Sequence, residues 1–255
     1  MAHTIAIAGK GGTGKTTITG LMIKYLIRHD GTPILAVDAD ANSNLNEVLG
    51  VEVEHTLGDI REEVAHSEEH EGSIPSGVSK ADYMEFKMNQ ALIEEDDYDM
   101  IVMGRTEGKG CYCFVNGLLQ TQLQKLTKAY KYIVVDNEAG MEHISRGTLP
   151  SIDTLVLVSD CSRRGIQAVG RIAALATDLD IHPEKTKLIV NRAPSEKLAD
   201  GILEEIDKQG LDLLGVVPHD ETIYEYDAEG KPTCDLPSDS KARVAVEGLL
   251  DKLFE

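Results

Sequence analysis

The run Gly9-Lys10-Gly11-Gly12-Thr13-Gly14-Lys15-Thr16-Thr17 gathers residue types that handle phosphate. It matches the spacing G-x-x-x-x-G-K-[ST], in which glycines let successive backbone N–H groups converge on a polyanion without Cβ clashes. In that pattern Lys15 reaches the terminal phosphates and the Thr16 hydroxyl can ligate Mg²⁺, so the segment reads as a nucleotide site. A second group is Asp38-Ala39-Asp40-Ala41-Asn42-Ser43-Asn44. Acidic residues there could cap a following helix. Beside a phosphate loop a carboxylate can instead position an attacking water, and Asp40 is assigned that role. A third group, Asp136-Asn137-Glu138-Ala139-Gly140, could hold Mg²⁺ through water at Asp136 and let the backbone approach a γ-phosphate at Gly140. Asp-x-x-x-Gly also makes ordinary turns, and its company with the phosphate loop favours a nucleotide switch. Asn191-Arg192 offers an amide that could read adenine, and Pro218-His219-Asp220 opens a further loop; each pair alone reads equally as a turn.

These groups need a scaffold, and the apolar runs supply one. Thr4–Ala8, Ile34–Val37, Met100–Met103, Tyr132–Val135, Thr154–Val158, Leu188–Val190 and Leu213–Val217 read as seven strands with helical patterns between most of them. The alternation predicts an α/β fold with a mostly parallel central sheet and helices on both faces. Ligands of such sheets sit at the carboxyl ends of the strands, which is where every group above falls. A helix should follow the phosphate loop, with Leu21, Ile23, Tyr25, Leu26 and Ile27 as its apolar residues and its positive dipole end at the loop.

The 255 residues show no Ser/Pro linker and no internal repeat, so residues 1–255 read as a single domain. No signal peptide and no apolar run of transmembrane length is evident, which predicts a soluble, cytoplasmic protein. A formal charge of −19 argues against nucleic acid and anionic membranes as partners. Part of that charge lies in Glu62–Glu71 and Glu94–Asp99, read as solvated faces of helices or loops, and Glu68–Gln90 carries no motif. Cys161 and Cys234 stand alone and read as small packed side chains.

On these residues the chain resembles the deviant Walker A ATPases, the SIMIBI-type P-loop family of the nitrogenase iron protein and the plasmid-partition and division-site ATPases. The most specific element is the extra lysine, Lys10; Thr13 replaces the usual valine. The resemblance implies ATP/ADP and Mg²⁺ as cofactors and a face-to-face homodimer in which Lys10 crosses to the partner's phosphates. It places Asp40 in switch I and Asp136–Gly140 in switch II, with Asn191 and Pro218–Asp220 at the adenine. Within the family the chain is most similar to the CooC-type maturation ATPases, on Cys111-Tyr112-Cys113, on Asp136–Gly140 and on the segment Gly-Met-Glu-His-Ile-Ser-Arg-Gly-Thr at 140–148. That implies a nickel enzyme as client, either carbon monoxide dehydrogenase or acetyl-CoA synthase.

Cys111 and Cys113 are spaced to point the same way from an extended segment. Two thiolates fill half of a tetrahedral Zn²⁺ or square-planar Ni²⁺ shell, and a two-fold axis would supply the other half. An iron–sulfur reductase would use the same four thiolates, but its relatives carry a cysteine beside switch II, where this chain has none before Cys161. A positional or partition ATPase would need a membrane or DNA contact. The helix pattern at Ala242–Phe254 carries Glu247 and Asp251 and is expected to pack on the domain instead.

Overall fold

The computed structural model describes residues 2–69, 77–105, 113–126, 128–140, 151–195 and 197–255. Its strands are β1 (His3–Gly9), β2 (Ile34–Ala39), β3 (Leu92–Glu94), β4 (Tyr98–Val102), β5 (Tyr132–Asn137), β6 (Thr154–Asp160), β7 (Lys185–Ala193) and β8 (Leu213–Pro218). They form one eight-stranded sheet in the order β3-β4-β2-β5-β1-β6-β7-β8. Every pairing is parallel except β3 with β4. The predicted mostly parallel α/β architecture is therefore the observed one.

Strands of a sheet covered on both faces read as continuous apolar runs, and β1 shows why. Ile5 and Ile7 pack on one face with Ile18, Met22 and Leu26 of helix α1 (Lys15–Arg28). Ala6 and Ala8 face the other way, against Ile166 and Val169 of a helix over Arg163–Asp178. Large side chains on one face and small ones on the other set the distance of the two layers. The third cluster joins Leu35, Val37, Ile101 and Val135 to Leu57, Ile60, Met88 and Leu123. These come from helices α3 (Leu57–Glu69), α4 (Lys80–Gln90) and α5 (Cys113–Leu126), which follow the short α2 (Leu45–Leu49). After β6 come α6 (Arg163–Asp178), α7 (Asp200–Lys208), α8 (Glu221–Ala228), a 3₁₀ turn (Thr233–Asp235) and α9 (Lys241–Phe254).

The structure departs from the sequence reading in two places. Leu92–Glu94 is a strand, antiparallel to β4, with Glu94 opposite Asp99, so the acidic run is the tip of an edge hairpin rather than a helix face or simple loop. Three half-exposed residues give too short a pattern to read, and charge on an edge strand discourages further pairing. The second departure concerns strand ends: β2, β5 and β7 continue through Asp38, Asp136 and Asn191-Arg192, which the apolar runs alone would leave just outside them. Parallel pairing proceeds through the backbone whatever the side chain, so the strands outlast their apolar runs. α9 buries Ala242, Val246, Leu249, Leu250 and Leu253 in the core shared with α1, as expected of a helix packed on its domain. Among the described residues no helix is long and apolar enough to cross a membrane.

β1 lies between β5 and β6, and the chain crosses it in passing from one to the other. The connections diverge at its carboxyl end, leaving the crevice where doubly wound sheets bind ligands.

Candidate nucleotide site

Gly9 closes β1 so tightly against β6 that a Cβ there would lie 2.2 Å from the Val158 carbonyl oxygen. The loop then turns through Gly12 and Gly14 at φ 77° and 87°, backbone that glycine adopts without strain. Gly14 caps α1, and a Cβ on it would meet Asn191 Nδ2 at 2.4 Å. The helix start has no side-chain cap and no acidic residue in its first turn, so the N–H groups at Lys15, Thr16 and Thr17 are left for an anion. Thr13 supports the loop from within by donating its hydroxyl to the Lys10 carbonyl at 2.9 Å. Gly11 approaches Ala139 of the switch segment, where a Cβ would sit in ordinary contact at 3.6 Å.

Lys15 is 7% exposed and donates to the Lys10 carbonyl at 3.4 Å. Burial lowers its pKa, opposed by the charges of Asp136, Asp40 and Glu138. A cation held this way has lost much of its hydration and, among the described residues, makes no ion pair with a carboxylate, which suits it to an incoming phosphate.

Asp38 and Asp136 are register partners on β2 and β5 and both are buried. Burial pushes Asp136 up to about 7, reinforced by Asp38 and opposed by hydrogen bonds from Thr16 and Thr19 and by Lys15. Burial likewise pushes Asp38 up to about 6, against backbone N–H groups of Leu45, Asp40 and Asn44 that donate to it. Both carboxyls are thus raised above the ordinary carboxylate range, as expected for neighbouring oxygen donors short of cationic charge. Thr16 bonded to Asp136 is the oxygen set that suits Mg²⁺.

The helix-capping alternative belongs to Asp38, whose Oδ2 accepts from Asn44 and Leu45 at 2.9 Å each, at the start of α2. Asp40 is free of that task. Among the described residues its Oδ1 accepts from the backbone and side chain of Asn42 alone, at 2.8 and 3.1 Å, and it is partly exposed at the crevice. Asn42 in turn accepts from Arg105, beyond the carboxyl end of β4.

A cavity of about 310 Å³ opens beside the loop, bordered by Gly14, Thr17, Asn191, Arg192, Pro218 and Asp220 among others. Asn191 donates to the Thr13 carbonyl at 2.8 Å, tying β7 to the phosphate loop, and its Oδ1 accepts from the Arg192 N–H at 2.9 Å. Asp220 is buried and serves the scaffold: it accepts from Thr222 N–H at 3.0 Å, Ser240 hydroxyl at 2.7 Å and Ala242 N–H at 3.0 Å. Burial would raise its pKa, but these bonds outweigh it and hold the carboxyl down at about 2. Asp220→Ala leaves two buried donors unpaired, and we expect a loss of about 2 kcal/mol in urea unfolding. Because the folded pKa is depressed, the wild-type advantage is full above the ordinary value of 3.8 and fades as pH falls towards 2. An alanine variant with unchanged stability at pH 7 would remove Asp220 from the scaffold.

Gly140 bridges back to Gly9, donating its N–H to the Gly9 carbonyl at 3.1 Å with φ 106°, so the switch segment is pinned to the phosphate loop. Lys10 is exposed and borders a shallow surface recess with Gly140, Arg171 and Leu175. Cys111 and the segment 141–148 lie outside the described residues; Cys113 is the first residue of α5. Among the described residues no group of three or more His, Cys, Asp or Glu could hold a metal ion. Sequence reasoning missed the parts played by Asp38 and Thr19: Thr19 donates to Asp136 at 3.2 Å. Its place one helical turn after Lys15 was the available signal.

The family profile described as the CobQ/CobB/MinD/ParA nucleotide binding domain matches residues 4–233. The chain is 42% identical over 252 residues to the uncharacterized ATP-binding protein MJ0685 of Methanocaldococcus jannaschii, covering 98% of each. It is 32% identical over 265 residues to the carbon monoxide dehydrogenase accessory protein CooC of Rhodospirillum rubrum, covering 98% of this chain and 97% of that one. In fold it is similar to the septum site-determining protein MinD from Pyrococcus horikoshii OT3, solved in complex with Mg-ADP. The TM-score is 0.72 at 24% identity, covering 99% of this chain and 96% of that one.

Proposed function

This chain belongs to the CobQ/CobB/MinD/ParA family of nucleotide-binding proteins, and from that premise we propose that it is an ATP-dependent maturation factor assisting nickel insertion into carbon monoxide dehydrogenase or acetyl-CoA synthase. The observation that carries the client is the near full-length similarity to a carbon monoxide dehydrogenase accessory protein, joined to the Cys111-Tyr112-Cys113 pair. Nickel or zinc is cargo in this reading, held by both cysteines of two chains in an ATP-linked homodimer.

Each residue then has a role. The N–H groups at the start of α1 and the ammonium of Lys15 neutralise phosphate charge, and Asp40 orients the attacking water. Thr16 and Asp136 would hold Mg²⁺, which would supply charge neutralisation at the phosphates. Lys10, exposed at the loop, reaches the partner's nucleotide, while the Gly9–Gly140 contact lets switch II respond to the γ-phosphate. Asn191 and Pro218 border the adenine, with Asp220 holding the wall behind it. The link from nucleotide to metal runs through Arg105, which bonds Asn42 beside Asp40 and stands six residues before Cys111. A change at the switch is thereby passed along the chain that leads to the cysteines.

Metal analysis of anaerobically purified protein tests this reading. We expect one Zn²⁺ or Ni²⁺ per dimer, lost in the double variant Cys111→Ala/Cys113→Ala, with nucleotide binding retained. Affinity should fall with pH as protons compete for the thiolates. One ion per monomer, or tight binding that survives the double substitution, would overturn the shared site. A brown chromophore would support an iron–sulfur reductase. Protein with neither metal nor chromophore would support a positional ATPase, the other occupation of this family's members, such as the septum site-determining protein MinD of Bacillus subtilis at 25% identity.

A further inference from the structure

The wall of the cavity beside the phosphate loop includes a threonine whose hydroxyl neither the fold nor the phosphate site uses. Thr233, at the start of the 3₁₀ turn, is 5% exposed and borders the cavity. Its hydroxyl oxygen is sealed from solvent and has no hydrogen-bond partner among the described residues. Among the described residues the carbonyl oxygens of Asn46 and Asn137 share that condition, but neither residue borders this cavity. A buried hydroxyl without a partner is costly, and that cost is recovered by whatever supplies one.

The position of Thr233 says what that is. The cavity follows one stripe of α1 through Gly14, Thr17, Ile18 and Leu21. At 1.5 Å per residue it extends about 10 Å from the phosphate loop, the reach of a nucleoside beyond its phosphates. The 3₁₀ turn meets α1 at the far end of that stripe. Gly20 has no Cβ there, and one would come within 3.4 Å of Cys234 Cβ and 2.3 Å of Val48. The lining is mixed: Leu21, Val48 and Val246 offer aliphatic faces to a planar base, while Arg192, His219, Tyr224 and Asp227 also border the cavity.

We infer that Thr233 fixes the base end of the nucleotide, its hydroxyl bonding a polar atom on the purine edge. A threonine bordering a cavity can exchange hydroxyl and methyl by a turn about χ1, so the group hidden in the free protein is available to the ligand. The inference rests on the reading of this cavity as the ATP site and adds a residue that determines affinity for the base.

Thr233→Val keeps the shape and removes the hydroxyl. By calorimetry we expect Mg-ATP affinity to fall about tenfold. Affinity for Mg-tripolyphosphate, which has no base, should not change. Thr233→Ser should restore ATP binding. The melting temperature of the unliganded valine variant should be equal or higher, since the orphaned hydroxyl is gone; a merely structural hydroxyl would lower it. Equal ATP affinity in wild type and Thr233→Val, or equal losses for ATP and tripolyphosphate, would overturn the inference. Should the valine variant fail to fold, Thr233→Ala against Thr233→Ser replaces it with the same two ligands, and equal ATP affinity in that pair would overturn the inference in the same way. If wild type binds tripolyphosphate but not ATP, the base site fails; if it binds neither, the nucleotide reading falls first.

Discussion

Lys15→Ala is expected to lower kcat/KM for ATP by two to three orders of magnitude, about 10²–10³, the loss typical of removing one preorganised group from developing negative charge. The structure explains why the effect should be large. Lys15 is already desolvated, with its pKa lowered by burial, and its one hydrogen bond is a long one to a loop carbonyl. Little reorganisation is needed when phosphate arrives. The same substitution takes from Asp136 a cation that opposes the effect of its burial, so binding of the magnesium complex should weaken less than binding of free nucleotide. Steady-state hydrolysis and titration with and without Mg²⁺ measure both effects. Turnover within a few-fold of wild type would take Lys15 out of the mechanism.

The second large effect is expected at Asp40. Asp40→Ala should reduce kcat about a hundredfold while leaving nucleotide affinity within about twofold, because a water-orienting carboxylate acts in the chemical step. Its carboxylate bonds only Asn42, two residues on, so its removal should cost the fold little. Asp38 is the contrast. It holds three backbone N–H groups, two of them at the start of α2, and its replacement should show first in unfolding and only then in activity. Single-turnover hydrolysis together with thermal unfolding separates the two. If Asp40→Ala hydrolyses ATP normally, another group orients the water.

Much of this architecture was legible because its residues announce themselves locally. The phosphate loop needs glycine at fixed places and a lysine at one, and buried parallel strands need unbroken apolar runs. The division of labour between Asp38 and Asp40 was not legible. Both are aspartates at a strand end two residues apart, and only the backbone path, which brings Leu45 N–H back to Asp38 while Asp40 turns toward Asn42, tells the cap from the free carboxylate. The edge strand at Leu92–Glu94 escaped for a different reason: three residues in an acidic stretch carry no period. Asp220 reads in sequence as a base-site residue, and the structure gives its carboxylate to Ser240 and Ala242, partners twenty and more residues away that no local pattern links to it. Thr233 had no signal of any kind, since an isolated threonine before a cysteine acquires meaning only when α1 lies beside it.

The cavity beside the phosphate loop joins distant stretches of chain. Residues 14–21 and Val48 come from the first part of the chain, and the rest of its lining falls within residues 191–246. During synthesis the phosphate loop leaves the ribosome early, yet the cavity stays open on one side until α9 has emerged and settled on α1. A nascent or truncated chain therefore possesses the loop but not the compartment. The cavity is therefore a late product of chain synthesis, although the loop beside it is an early one.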